Sequence, residues 1–228
     1  MKRIYLHPLP LRIWHWVNAL IVIILMITGI QLRISGIASL RPHDPALVVH
    51  KYAGWAMVVF YIFWFAYSLI SKDMSRNYVI RRHDLKGIFK QAIFYLFLIF
   101  KGEQNPFRPS PDNKFNPLQK IAYGAIMFIF APVLIITGLL YTDIAFLRKY
   151  MLLWNITGIV DAIHIIAAYV FALFLVIHTY MATLGPTPLF HINAMIKGYE
   201  EEPDVDEGKP DREVHPANPA SETGNQSA

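Results

Sequence analysis

The sequence predicts an all-α integral membrane protein: a four-helix bundle with an interfacial helix between its second and third spans. Three observations carry this expectation. The 228 residues are 55% hydrophobic and only 16% charged, with positive mean hydropathy, which is too apolar for an ordinary soluble domain. Four apolar runs long enough to cross a bilayer are separated by polar connections. And histidines fall inside or at the ends of those runs, at two matching levels.

Taken in order, residues 1–15 form a short basic arm with Lys2, Arg3 and Arg12, broken by Pro8 and Pro10. The apolar run behind it is too long for the core of a cleavable signal and lacks a small-residue cleavage pattern, so it is expected as a retained first span. That span covers about residues 13–33, with Trp14 and Trp16 as interfacial anchors. Span two covers about 47–70. A polar link follows, and within it Leu85 to Phe100 is apolar but short and carries Lys86 and Lys90 one turn apart. A helix lying on the membrane surface is expected there; a fifth span is the alternative. Span three, about 117–141, should be kinked at Pro132. Span four covers about 154–184 and ends at Gly185-Pro186-Thr187-Pro188. Residues 1–198 thus form one membrane domain, and 199–228 an acidic, Pro-rich tail expected to be disordered and cytoplasmic.

Charge sets the expected orientation. The tail carries nine acidic residues against Lys209 and Arg212, so a net of −7 hides +12 on the first 198 residues. In a membrane chain such a basic body points to topology and anionic lipid and not to nucleic acid. The N-terminal arm and the link from Arg76 to Lys114 together hold eleven Lys/Arg, against five on the opposite side (Arg33, Arg41, Lys51, Arg148, Lys149). Four spans put both termini on one side, and the positive-inside rule makes that side the cytoplasm of a bacterial inner membrane. With no cysteine, disulfides, thiolate metal sites and covalently attached c-type haem are all excluded for this chain.

Span four holds His164 and His178, 14 residues apart. That spacing returns to within roughly 40° of the same helix face and separates the rings by about 21 Å along the axis. Ionisable side chains at such depth imply function and partners. His15 opens span one at the inner level, and His50 opens span two at the outer level. The levels therefore match as His15 with His178 and His50 with His164. Two imidazoles facing across a bundle are what a six-coordinate haem b requires, so two haem b groups are expected, with these four histidines as haem iron ligands. Hydrogen-bonded packing is the alternative for any one histidine alone. Gly29, Gly54 and Gly138 would leave room for porphyrin faces or for close helix packing; Ile136-Thr137-Gly138 echoes Ile27-Thr28-Gly29. Asp161, three residues before His164, is a candidate to orient that ligand. Arg12, Arg33, Arg41, Arg148 and Lys149 are candidates for haem propionates or lipid headgroups.

At these residues the chain resembles a family. Arg12-Ile-Trp-His-Trp16, His50-Lys-Tyr-Ala-Gly54, Asn116-Pro-Leu-Gln-Lys120 and the His164/His178 pair look like the di-haem cytochrome b family. It includes the membrane subunits of formate dehydrogenase, nickel–iron hydrogenase and thiosulfate reductase, and the bacterial b561 cytochromes. The likeness spans about residues 5–198 and leans towards the thiosulfate reductase branch. It implies an electron wire between a quinone (menaquinone or ubiquinone) at the inner haem and an iron–sulfur or multihaem c-type partner subunit outside. It also implies a quinone site at His178 and Asn116; Gln119 and Lys120, about one turn on, are candidates to complete it. Asn116-Pro117 reads equally well as an ordinary helix start. A second functional expectation is a stand-alone b561-type superoxide:quinone oxidoreductase, with Lys51, Arg148 and Lys149 forming a cationic pocket beside the outer haem. A third is a haem-free anchor or transporter.

Overall fold

The computed structural model describes residues 2–35, 44–103, 105–107, 109–111, 113–142 and 156–202. Among them, four helical stretches are long and apolar enough to cross a membrane, at Leu9–Ile34, Pro45–Ile70, Pro117–Thr142 and Thr157–Ala182. The first two belong to helices α1 (Leu9–Ser35) and α2 (Pro45–Ile70). Short α3 (Asp73–Asn77) and then α4 (Arg82–Ile93) follow in the link. The third span is built from α5 (Pro117–Ala125) and α6 (Ala131–Thr142), and the fourth is α7 (Ile156–Ala182). A last helix, α8, covers Phe190–Lys197.

Burial is arranged as a bilayer demands. Ile27, Ile62, Ile166 and Val176 are each more than 60% exposed on the bundle's perimeter, while Thr28, Ser68, Asn116, Lys120 and Thr137 are buried within it. Helix α1 packs on α2, α6 packs on α7, and contacts between α2 and α6 join the halves. Helix starts follow local chemistry. The Asp44 carboxylate accepts from Ala46 N–H at 2.9 Å, with Pro45 in the first turn of α2.

Span three is interrupted where Pro132 predicts, but the irregularity precedes the proline. A π-helical turn at Ile126–Phe130 separates α5 from α6. The Tyr61 hydroxyl of α2 donates to the Met127 carbonyl of that turn at 3.0 Å. The apolar part of the link also departs from regular helix, with α4 passing into a π turn at Phe94–Leu98 and a 3-10 turn at Ile99–Lys101.

Two expectations need correction. Acidic residues just after position 198 do not all trail away: β2 (Tyr199–Glu202) pairs antiparallel with β1 (Lys2–Tyr5), in the register Ile4↔Glu200. A basic arm and an acidic segment thus zip together, with the Arg3 guanidinium 4.9 Å from the centre of the Tyr199 ring. The remainder of that segment lies outside the described residues. The pairing puts the two ends of the domain on one side of the bundle. Second, Trp14 is an internal contact and not an interfacial anchor. Its indole N–H donates to Phe60 O at 2.8 Å, and its ring stacks on Trp64 with centroids 6.0 Å apart. Trp16, 42% exposed, reaches the Met195 carbonyl of α8 at 3.4 Å.

Candidate functional site

The four histidines meet in the pairs expected from their levels. On the side where the strands pair, His15 of α1 faces His178 of α7 with ring centroids 6.1 Å apart. At the far side His50 of α2 faces His164 of α7 at 6.4 Å. Because α7 is one continuous α-helix from Ile156 to Ala182, it contributes a histidine to both levels.

The far-side pair is held by a repeated device. Thr28 Oγ1 lies 2.8 Å from His50 Nδ1 and also bonds its own helix at Ile24 O, 2.7 Å away. Thr137 Oγ1 lies 2.7 Å from His164 Nδ1 and bonds Val133 O at 2.6 Å. The glycine after each threonine lies against the ring: a Cβ at Gly29 would sit 3.4 Å from His50 Cε1, and one at Gly138 3.6 Å from His164 Cε1, both within van der Waals contact. Gly54 has open space around it, with nothing within 4 Å of a Cβ built there. The sequence repeat Ile-Thr-Gly had pointed to the glycines alone; the threonines were missed, although they sit in the same repeat.

The other pair is held by aromatic walls. Trp16 meets His15 edge-on at 5.1 Å, and Phe174 stacks on His178 at 5.5 Å and 23°. Tyr123 Oη lies 3.3 Å from His178 Nδ1, a long contact, and His15 Nδ1 is buried without a hydrogen-bond partner.

This donor set fits haem. Two metal–imidazole bonds of about 2 Å plus the ring radii would place trans imidazoles roughly 6 Å apart, centre to centre, as both pairs are. Among the described residues no group of three or more His, Cys, Asp or Glu could hold a bare metal ion, whereas a porphyrin supplies four in-plane donors and needs only the axial two.

The residues expected at the quinone are mostly committed within the fold. Asn116 is 2% exposed and caps α5: its side-chain Oδ1 accepts from Gln119 N–H at 2.9 Å, and Gln119 Oε1 accepts from Asn116 N–H at 3.0 Å. Its side-chain amide donates to Tyr95 Oη at 3.0 Å. Lys120, 1% exposed, forms a 2.9 Å ion pair with Asp84 of α4. The helix-start reading of Asn116-Pro117 is therefore realised. Burial holds the Tyr95 phenol above its ordinary range, so it is a neutral hydrogen-bonding group.

Other candidates resolve singly. Asp161 accepts the Tyr141 hydroxyl at 3.0 Å, and the Tyr141 ring meets His164 edge-on at 6.0 Å. Arg33 approaches Asp161 at 3.9 Å. Arg12 Nη1 donates to Ile196 O at 2.8 Å, tying α1 to α8. His191 pairs with Glu200 at 3.1 Å. Arg41, Arg148 and Lys149 lie outside the described residues.

An apolar four-helix bundle with paired histidines across its interior defines a membrane cytochrome of the b type. The chain belongs to the prokaryotic cytochrome b561 family, whose description matches residues 6–198. It is 32% identical over 207 residues to a chain of Escherichia coli (strain K12) named as cytochrome YdhU, covering 87% of this chain and 75% of that one. It is 26% identical over 224 residues to a chain of Cupriavidus necator named as a Ni/Fe-hydrogenase B-type cytochrome subunit, covering 87% of each. A chain of Escherichia coli (strain K12) named as the B-type cytochrome subunit of Ni/Fe-hydrogenase 1 is 28% identical over 150 residues, which is 61% of this chain and 60% of that one.

Proposed function

We propose that this chain is the di-haem b membrane subunit of a respiratory oxidoreductase, carrying electrons across the bacterial cytoplasmic membrane between a quinone pool and a redox partner subunit. The observation that carries the proposal is the pair of facing histidine couples, 6.1 and 6.4 Å between ring centres, at the two ends of α7. His15 and His178 hold the haem near the termini; His50 and His164 hold the far one. When bound, each haem supplies a one-electron iron couple. The chain supplies the ligands, excludes water with apolar helices, and sets the two centres about 21 Å apart along α7.

Its charge distribution assigns the termini, the link and the His15/His178 haem to the cytoplasm, and the His50/His164 haem to the outer side. The quinone end is then the inner one. There Gln119 and His178, both half-buried, are the members of the expected set with access, while Asn116 and Lys120 hold α4 and Tyr95 against the start of α5. The partner, an iron–sulfur or multihaem c-type subunit, docks outside. Names borne by the hydrogenase-subunit relatives favour this reading over a free-standing superoxide-oxidising enzyme.

The test is purification of the full chain in detergent with whatever subunit accompanies it. Two haems b per chain, both reduced by anaerobic quinol, are expected. A chain that carries one haem or none, or whose haems ignore quinol, would refute the proposal.

A further inference from the structure

We propose that Thr28 and Thr137 are positioning residues that fix the proton and the donor strength of His50 and His164, and thereby lower the reduction potential of the far-side haem alone. This rests on the di-haem reading above. Each threonine hydroxyl donates backward to its own helix: Thr28 to Ile24 O at 2.7 Å with Leu25 O at 3.3 Å, and Thr137 to Val133 O at 2.6 Å with Leu134 O at 3.2 Å. Its one hydrogen is thus spent, and only lone pairs face the ring.

The bond to histidine therefore runs one way. His50 donates Nδ1–H to Thr28, 2.8 Å away, and His164 donates Nδ1–H to Thr137, 2.7 Å away. With its proton held on Nδ1, each ring keeps the Nε2 lone pair for iron, and the tautomer is settled before any haem arrives. An accepting oxygen on Nδ1–H also leaves more electron density on the ring, which makes Nε2 a stronger donor and favours ferric over ferrous iron. Gly29 and Gly138 lie beside the clamp, where a Cβ would come within van der Waals contact of each ring's Cε1, at 3.4 and 3.6 Å.

Two features argue against mere packing. The device occurs twice, on helices α1 and α6, with the same order of threonine then glycine, and each copy serves a different histidine. And it is absent from the other pair, where His15 Nδ1 has no partner and Tyr123 lies 3.3 Å from His178 Nδ1. The molecule thus contains its own reference centre without threonine partners, where one histidine has only a long tyrosine contact.

The experiment is a redox titration, followed optically, of purified full-length chain carrying Thr28→Val, Thr137→Val, or either residue changed to Ser. The far-side haem is identified beforehand as the signal missing from His50→Ala. Each valine variant should shift that haem's equilibrium towards the reduced form by about threefold to tenfold, a rise of roughly 28 to 59 mV at 59 mV per tenfold for a one-electron couple. The other haem should not move, and serine should restore the native value. If valine costs the chain its far-side haem, retention of that haem with native potential in the serine variant supports the clamp. Loss in both variants shows that a hydroxyl at these positions is not what holds the haem, and overturns it. Two titrating haems that ignore all four substitutions also overturn the clamp while leaving the di-haem reading intact. A wild-type chain without two titrating haems would instead remove that reading.

Discussion

Lys120 Nζ of the third span lies 2.9 Å from Asp84 Oδ2 of α4, and the two side chains are 1% and 3% exposed. Asp84 Oδ2 also accepts the Arg81 backbone N–H at 2.8 Å, at the start of α4. A charge sealed this deeply is tolerable only with its partner. Nearby, Lys114 pairs with Asp73 at 2.8 Å, and Asn77 donates to the same Asp73 oxygen at 2.8 Å while accepting the Lys114 N–H at 2.9 Å. The basic link is thus latched onto the bundle by buried pairs, and its cations are not all offered to lipid.

Breaking one side of that latch is therefore costly. Lys120→Met or Asp84→Leu alone should destabilise the chain by about 3–5 kcal/mol, whereas the double substitution should recover most of the loss. Thermal unfolding in detergent measures this. Quinol oxidation by the stable double variant at the native rate would confine Lys120 to a structural role; loss of that reaction would return it to the quinone site.

The histidines should fail in pairs. Replacing either His50 or His164 by Ala should remove one haem per chain, and replacing either His15 or His178 should remove the other. Haem content and the reduced optical spectrum check this. A spectrum for His15→Ala that matched His50→Ala would show that the pairing is wrong.

Gly198 closes α8 with φ at +95° and accepts both Leu6 and His7 N–H at 2.9 and 3.0 Å. A Cβ there would lie 2.9 Å from both Arg12 Nη1 and His7 O. Gly198→Ala should therefore cost roughly 1–3 kcal/mol locally. It should show as faster amide hydrogen exchange across residues 2–8, with both haems retained.

His7 adds a pH dependence to the same corner. Burial is the main cause that lowers its pKa to about 4, with Lys114 and Arg12 acting in the same direction and Glu200 and Asp73 opposing. Its ordinary value is 6.5. Between these values the unfolded chain binds the proton and the folded chain does not, so stability falls as pH drops from about 6.5 towards 4 and is unaffected by His7 above that window. Unfolding temperatures across pH 4–7 should show a shallower acid decline for His7→Gln than for the native chain. Equal slopes would remove His7 from the account.

What was legible in the sequence was local or periodic. Four apolar runs became four spanning stretches because backbone polar groups in lipid must bond within their own helix. His164 and His178 share a face because 14 residues close nearly whole turns, and they meet His50 and His15 because depth in a bilayer follows from position along a span. The misses were of another kind. Lys120–Asp84 joins residues 36 apart, and Trp14 meets Trp64 across 50 positions. Which face of one helix meets which face of its neighbour is not written in either helix's period.

The sequence by itself determined a helical membrane bundle with histidines at two levels, because hydropathy sets what enters the bilayer and 1.5 Å per residue sets depth. Only the tertiary structure decided what each histidine leans on. Thr28 and Thr137 reach His50 and His164 because α1 packs on α2 and α6 on α7 at one particular rotation about their axes. That rotation is a property of packing between helices, fixed by side chains far apart in the chain.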